Sequence, residues 1–394
     1  MLSQEFFVHL QVTTQSTNMD NPFIFNGYNG PEYFCDREKE LETLMKCATT
    51  GVNVTLIAQR RMGKTGLIFR LMDEINNTQT GITPIYIDIF ATRNLEELNR
   101  TLASAILASF PEESSIGKRF MTMLKGLRPM FGVDPLSGTP QVLFSYQNQQ
   151  EKEHTLEGLL LFLEKQSTPI LLAIDEFQQI REYPEDNIEA LLRTYMQQLH
   201  NVRFIFCGSR KHMMTDIFSN PRRPFFSSTQ FIGLDAISEK SYREYISRMF
   251  SSGGKTIDEE AVDYILQWSR RHTYYTQRLC HEIYDTSSNT IGVDNVRACC
   301  ETLLRLNEPY FLQYKQLLTD GQWNFLIALA KEESVEQPYA TTFLKKHNIG
   351  ATAVARRQLQ TLLEKDLIFN ETTKEKNYFA VADLFLMRWL AKEY

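Results

Sequence analysis

The chain reads as an α/β protein, a parallel sheet wrapped by helices and followed by two further helical units. Three features carry that reading. Five short β-rich runs in the first 235 residues are apolar at nearly every position, as strands buried on both faces of a parallel sheet must be. Helical patterns separate these runs, and strand–helix alternation calls for right-handed crossovers. Beyond Leu234 the strands stop and apolar spacing of about 3.6 residues takes over.

The runs are VNVTLIA (52–58), TPIYIDIF (83–90), PILLAID (169–175), VRFIFCGS (202–209) and TQFIGL (229–234). Helical stretches at 63–76, 94–109, 153–166 and 186–200 lie between them. The segment LRPMFGVDPLSGTPQVLFSY (127–146) breaks the rhythm and reads as an irregular hairpin, with Pro and Gly clustered between two β-prone runs. Residues 236–306 predict a small helical bundle, with Ser238 and Asp258 at N-cap positions. From 307 to 394, three helical patterns precede IFNETTKEKNYFAVADLFLMRWL, which predicts a two-stranded ribbon with a polar tip. That is the order of a winged helix. The N-terminal stretch lacks a basic n-region and a clean apolar h-region, so it is not a secretory signal. Met19 stands just before the first motif-like segment, so residues 1–18 read as a poorly ordered leader or the product of an over-early start codon, and the leader segment is set at 1–20. The sheet domain is then expected over 21–235.

Composition narrows the class. A hydrophobic content of 43% supports real cores, and a net charge of −6 gives no global basic field for nucleic acid. No run of 18 apolar residues offers a membrane span, so a cytoplasmic protein without a membrane partner is expected. The cysteines, Cys35, Cys47, Cys207, Cys280, Cys299 and Cys300, show no metal-ligand spacing and read as buried, reduced thiols.

Four motifs carry chemistry. The first, AQRRMGKTGL (58–67), differs from G-x-x-x-x-G-K-[ST] by Ala58 in place of the leading glycine. It follows a strand and opens a helix, the setting a phosphate loop requires. There the amides of Arg60, Arg61, Met62, Gly63, Lys64, Thr65 and Gly66 can wrap a β-phosphate. Lys64 would reach the β/γ-phosphates and the Thr65 hydroxyl would ligate Mg2+, whereas alanine at 58 deletes no ligand. An ordinary helix start is the competing reading. The second motif is PILLAIDEFQQI, a buried strand ending in an acidic pair. Asp175 is expected to hold Mg2+ and Glu176 to activate the attacking water; a surface turn is the alternative. In the third, FIFCGSRKHMM, Ser209 reads as a sensor of the water or γ-phosphate, or as a simple strand-end cap, on a strand expected between the other two. In the fourth, NPRRPFFSS, Arg222 and Arg223 read as a finger reaching a neighbouring subunit's γ-phosphate, or as a solvated loop.

These segments, with NPFIFNGYNGPEYFCDREKELETL, RHTYYTQRLCHEIYD and VADLFLMRWL, resemble the archaeal-type ATPases of the AAA+/STAND group of P-loop NTPases, especially their bacterial relatives. The resemblance covers about Asn21 to Tyr394. It implies a five-stranded parallel sheet with the phosphate-loop strand central, then a helical lid and a winged helix. It also implies ATP and Mg2+ as ligands, with the segment around Tyr33, Phe34 and Arg37 lying over adenine and ribose. Many relatives carry Gly-His-Pro where this chain has Arg271-His272-Thr273, so no role in the lid is carried over to Arg271 or Arg278. Many also carry a nuclease-like domain after the winged helix. This chain ends at Tyr394, and nuclease activity is not implied.

The recognition-helix candidate is GATAVARRQLQTLLEK, with Arg356 and Arg357 adjacent and Lys345, Lys346 and His347 on the preceding helix. Thr352 and Gln358 add polar reach toward a groove or phosphate. Residues 308–394 nonetheless hold 11 Lys+Arg and 11 Asp+Glu, so no net charge favours phosphate. Double-stranded DNA and a protein surface are both open as partners, as is a homo-oligomer completed by Arg222 or Arg223. The leading functional expectation is an ATP-hydrolysing switch coupled to the winged helix. The alternatives are a nucleotide-gated DNA-binding regulator and a scaffold, each with negligible hydrolysis.

Overall fold

The computed structural model describes residues 21–127, 129–133, 140–372 and 377–394. The leader expected over 1–20 and the ribbon tip at 373–376 lie outside the described residues. The rest forms two compact units, one of residues 26–237 and one of 238–394 joined by 21–25.

The first unit runs α1 (Glu38–Thr50), β1 (Val54–Ile57), α2 (Lys64–Asn77), β2 (Thr83–Asp88), α3 (Leu95–Ser109) and α4 (Ser115–Lys125). It continues through β3 (Pro129–Val133), β4 (Pro140–Phe144), α5 (Gln149–Glu164), β5 (Ile170–Asp175), α6 (Ile188–Gln198), β6 (Val202–Gly208), α7 (Lys211–Ser219) and β7 (Gln230–Gly233). The five expected strands form one parallel sheet in the order β2-β5-β6-β1-β7. β6 lies between β5 and β1, as its sequence position in the motif set required. One expectation needs correction: the centre of the sheet is β6, and the phosphate-loop strand β1 is second from the β7 edge. The irregular hairpin is present as the antiparallel pair β3–β4.

The two faces of the sheet are separate cores, read out by the two-residue alternation of strand side chains. On β5, Leu171 and Ala173 join Leu67, Ile68 and Leu71 of α2 and Leu44 of α1. Leu172 and Ile174 face the other way, into a larger core built by α3 to α7. Phe177, Phe206, Phe218 and Phe225 cluster there, with ring centroids 4.5 to 5.6 Å apart. Side chains of Asn94, Ser114 and Asn148 cap α3, α4 and α5 by accepting backbone amides, the role short polar residues take at helix starts.

The second unit comprises α8 (Glu239–Ser252), β8 (Thr256–Ile257), α9 (Glu259–Ser269), α10 (Thr273–Thr286), β9 (Thr290–Ile291) and α11 (Val293–Leu317). After these come α12 (Asp320–Glu332), α13 (Thr341–Lys346), α14 (Thr352–Glu364), the ribbon β10 (Ile368–Thr372) and β11 (Asn377–Val381), and α15 (Leu384–Glu393). Ser238 caps α8 as expected; Asp258 holds the cap position of α9 without a side-chain cap bond. Residues 21–25 belong here rather than to the sheet unit. Phe23 is fully buried against Tyr245, Phe250 and Tyr284, and Asn21 bonds the His281 carbonyl. α11 runs unbroken through residues 306 and 307, so a continuous helix joins the bundle to the winged-helix elements. Phe385 of α15 packs on Trp268 and Tyr275, while Arg388 and Arg270 converge on Glu333. All six cysteines are buried, and none is in a disulfide among the described residues. No described helix is long and apolar enough to cross a membrane.

Candidate active site

Parallel strands bring their C-terminal ends to one edge of the sheet, and β1, β5 and β6 deliver the acidic, basic and hydroxyl groups there. Between Ile57 and α2 the chain turns sharply, with φ of 63° at Arg61 and 90° at Gly63. Gly63 is the residue that must be glycine for conformation. Ala58 is buried at the strand end and does not adopt a positive φ, so the leading glycine's freedom is not needed in this loop. Arg60 and Arg61 are exposed, and Met62 is buried beneath the turn.

Lys64 is only 5% exposed. Its Nζ donates to the carbonyls of Ala58 (3.1 Å) and Gln59 (3.0 Å), folding the loop around the ammonium. The next side chain, Thr65, donates from Oγ1 to Asp175 Oδ2 at 2.6 Å. Asp175 is 3% exposed and also accepts from Tyr86 Oη (3.1 Å) and, on Oδ1, from the Glu176 amide (2.9 Å). Burial, reinforced by the Asp175 charge, pushes the Tyr86 phenol well above its ordinary range, which keeps it a proton donor. Burial does the same to the Cys207 thiol beside it. Thr65 and Asp175 thus present a hydroxyl and a carboxylate side by side, the hard oxygens Mg2+ prefers. The residues fit that ion.

Glu176 leaves β5 with φ 54°, and its Oε2 accepts from Gln178 Nε2 and from Ser209 Oγ (2.9 Å). Gly208, just before Ser209, has no room for a side chain: a Cβ would overlap Gln178 Oε1 and Met214 Sδ. Phe34 lies against the loop, since a Cβ on Gly66 would sit 3.2 Å from its ring, and Tyr28 meets Phe34 edge-on. Tyr33 closes a short 3-10 turn just before it.

The fold therefore brings together Gly63, Lys64, Thr65, Gly66, Phe34, Asp175, Glu176 and Ser209. Other expected site residues are engaged elsewhere. Arg37 is buried and donates to Glu40 (3.1 Å) and to the Asp235 carbonyl (2.6 Å), so its guanidinium ties α1 to the end of β7. Arg223 pairs with Glu189 (3.1 Å) and Asp216 (3.0 Å) of its own chain, whereas Arg222 is exposed. On the winged-helix elements, Lys346 and His347 both bond Glu332 (2.5 and 2.8 Å), and Arg356 stacks on Tyr339 at 4.5 Å. Lys345, Thr352 and Arg357 are exposed. The groove-facing expectation for Gln358 is corrected: its amide packs against Gly321 of α12, with Oε1 buried.

Two residues of this site carried no assignment in the sequence. Tyr86 lies mid-strand on β2, where an aromatic reads as packing. Gln178 stands in the DEFQ segment, but which group it bonds depends on the turn that Glu176 makes.

Sequence and fold comparisons agree with the geometry. A profile described as an ATPase domain predominantly from Archaea matches residues 34–269, and one described as a probable winged helix domain matches 309–392. No curated protein matches the sequence. Among solved structures, the chain is similar to a Walker-type ATPase of Pyrococcus abyssi, with TM-score 0.64 and 17% identity over 94% of this chain and 99% of that one. It is also similar to the Aeropyrum pernix ORC2 protein in its ADPNP–ADP complexes (0.55, 15%, over 94% and 95%). A third likeness is to the ORC1 protein of the same organism in complex with DNA (0.51, 13%, over 95% and 96%). These likenesses share the fold. With the ATPase profile covering more than half its length and the loop, acidic pair and sheet order all in place, the chain belongs to the family of ATPase domains found predominantly in Archaea.

Proposed function

We propose that the protein binds ATP with Mg2+, hydrolyses it, and couples its nucleotide state to the winged helix. The observation that carries this reading is the 2.6 Å bond between Thr65 and Asp175, with the Glu176 carboxylate on the next residue. A phosphate-loop hydroxyl and a strand-end acid meet there, although 110 residues separate them in sequence. Lys64 exchanges its two loop carbonyls for the β- and γ-phosphate oxygens. Phosphoryl transfer rests on positioned charge rather than covalent chemistry, and an ammonium already held in the loop supplies it. Thr65 and Asp175 would hold the Mg2+, which when bound would add neutralisation of the phosphate charge. Glu176 accepts the proton of the attacking water, its carboxylate held by Ser209. Phe34, against Gly66, bounds the space beside the loop on the nucleotide side.

The test is ATP turnover by wild type and Glu176→Gln across a protein concentration series. Turnover should vanish in the variant while nucleotide binding persists. Equal rates would refute the assignment of Glu176. A rate per monomer that rises with concentration would indicate completion of the site by a neighbouring copy, with Arg222 favoured over Arg223, which is held by Glu189 and Asp216.

A second reading, nucleotide-gated DNA binding, is favoured by one observation: α14 exposes Arg356, Arg357 and Thr352. Against it, Lys346 and His347 are both engaged by Glu332. Removing a cation that meets a phosphate should reduce the salt slope of duplex binding by about one. The double change Arg356→Ala/Arg357→Ala must therefore weaken and flatten any salt-dependent binding. An unchanged slope would rule out α14 as the DNA-binding element.

A further inference from the structure

We infer that Gln178 is the positioning residue that aims the Glu176 carboxylate, and that glycine at 208 leaves room for it beside Met214. The inference rests on Glu176 being the base that activates water. Glu176 stands at φ 54°, a conformation that L residues other than Asn and Asp adopt at a cost, so neither strand nor helix geometry fixes its side chain. Two hydrogen bonds do so. Gln178 Nε2 and Ser209 Oγ both donate to Oε2, and among the described residues no donor reaches Oε1. A base needs one oxygen anchored and the other open to the water it deprotonates. This arrangement has that form.

Gln178 gains little for packing. It is 5% exposed, and its Oε1 is buried with no partner. A buried acceptor left unsatisfied costs stability that an apolar side chain of the same shape would not. Which end of the amide faces Glu176 follows from chemistry, because a carboxylate accepts from N–H. The neighbouring strand is cut to fit. A Cβ at residue 208 would overlap Gln178 Oε1 as well as Met214 Sδ and Cγ, yet Gly208 has no positive φ to require glycine. Space, not backbone freedom, is what it provides. The geometry therefore shows an amide held at a stability cost, a bare strand end that admits it, and a single carboxylate oxygen at which it points.

The test replaces Gln178 with methionine, which keeps the length and drops the donor. Turnover at saturating ATP should fall by about tenfold or more, the usual effect of releasing a residue that orients a catalytic group. KM for ATP and the affinity for ADP should stay within about twofold, and the melting temperature should hold or rise. If Gln178→Met does not fold, Gln178→Asn, one methylene too short to reach, takes its place. Unchanged kcat would overturn the inference, and so would a joint loss of kcat, nucleotide affinity and melting temperature. The two proposals fail separately. Glu176→Gln turning over like wild type refutes the base itself, whereas an inactive Glu176→Gln beside a fully active Gln178→Met refutes only the positioning role.

Discussion

Thr65→Val removes one hydroxyl while keeping the branched shape of the side chain, and it probes the bond on which the functional reading rests. The hydroxyl donates to Asp175 Oδ2 at 2.6 Å, and the carboxylate is 3% exposed. A hydrogen bond to a buried charged acceptor contributes roughly 1.5–3 kcal/mol. Tyr86 still donates to the same oxygen and the Glu176 amide to the other. The carboxylate is therefore not stranded, and the lower part of the range applies, about 1.5–2 kcal/mol. A unit of this size loses roughly 2–4 °C of melting temperature per kcal/mol, so the ligand-free variant should melt about 3–8 °C lower. Scanning calorimetry of the ligand-free protein reads this directly. A second arm adds a non-hydrolysable ATP analogue, then Mg2+. Ligand that binds only the folded state raises the midpoint by mass action. Wild type should show a further rise on adding Mg2+, and the variant should lose that increment. Tyr86→Phe, which deletes the longer bond at 3.1 Å, should lower the midpoint less. A Thr65→Val protein that melts with wild type and keeps its Mg2+ increment would refute the pairing of loop and strand.

The paired arginines separate by the same logic. Arg223→Ala leaves Glu189, only 8% exposed, without its partner and should cost roughly 1–3 kcal/mol, whereas Arg222→Ala should leave the melting temperature alone. If copies complete one another's sites, Arg222→Ala should instead abolish the concentration dependence of turnover. In the winged helix, bonds from Lys346 and then His347 hold the Glu332 carboxyl below the usual range. A group whose folded pKa is depressed stabilises the fold above its unfolded value, near 4.3, and that contribution is lost as pH falls through the lower folded value. Lys346→Ala should therefore lower stability at neutral pH and flatten its decline between about pH 5 and 3, as read by denaturant melts. An unchanged acid limb would remove Glu332 from the account.

Much of the sheet unit was legible because a strand buried on both faces must be apolar throughout, and VNVTLIA, PILLAID and VRFIFCGS obey that rule without help from their neighbours. Gly63, Lys64, Thr65 and the Asp175–Glu176 pair were legible for a related reason. Their chemistry is written in adjacent letters at fixed distances from a strand end. The engagement of Arg37, Arg223, Lys346 and His347 was not. A cation in a loop looks the same whether its partner is a phosphate or a carboxylate tens of residues away, and Glu189 and Glu332 carry no mark of the arginine or lysine they meet. The continuity of α11 was hidden likewise, because the change of pattern near residue 307 read as a boundary between units.

Local spacing thus determined which elements form and which residues stand at their ends, since both follow from backbone sterics and side-chain burial over a few residues. The sequence also determined that a phosphate loop and an acidic pair coexist. Only the tertiary structure decided that β6 rather than β1 takes the centre of the sheet, that Tyr86 and Thr65 converge on one oxygen of Asp175, and that Gln178 reaches Glu176 past a bare Gly208. Those outcomes depend on how crossovers order the strands and on ångström-scale packing between segments far apart in the chain, and no local pattern of letters encodes either.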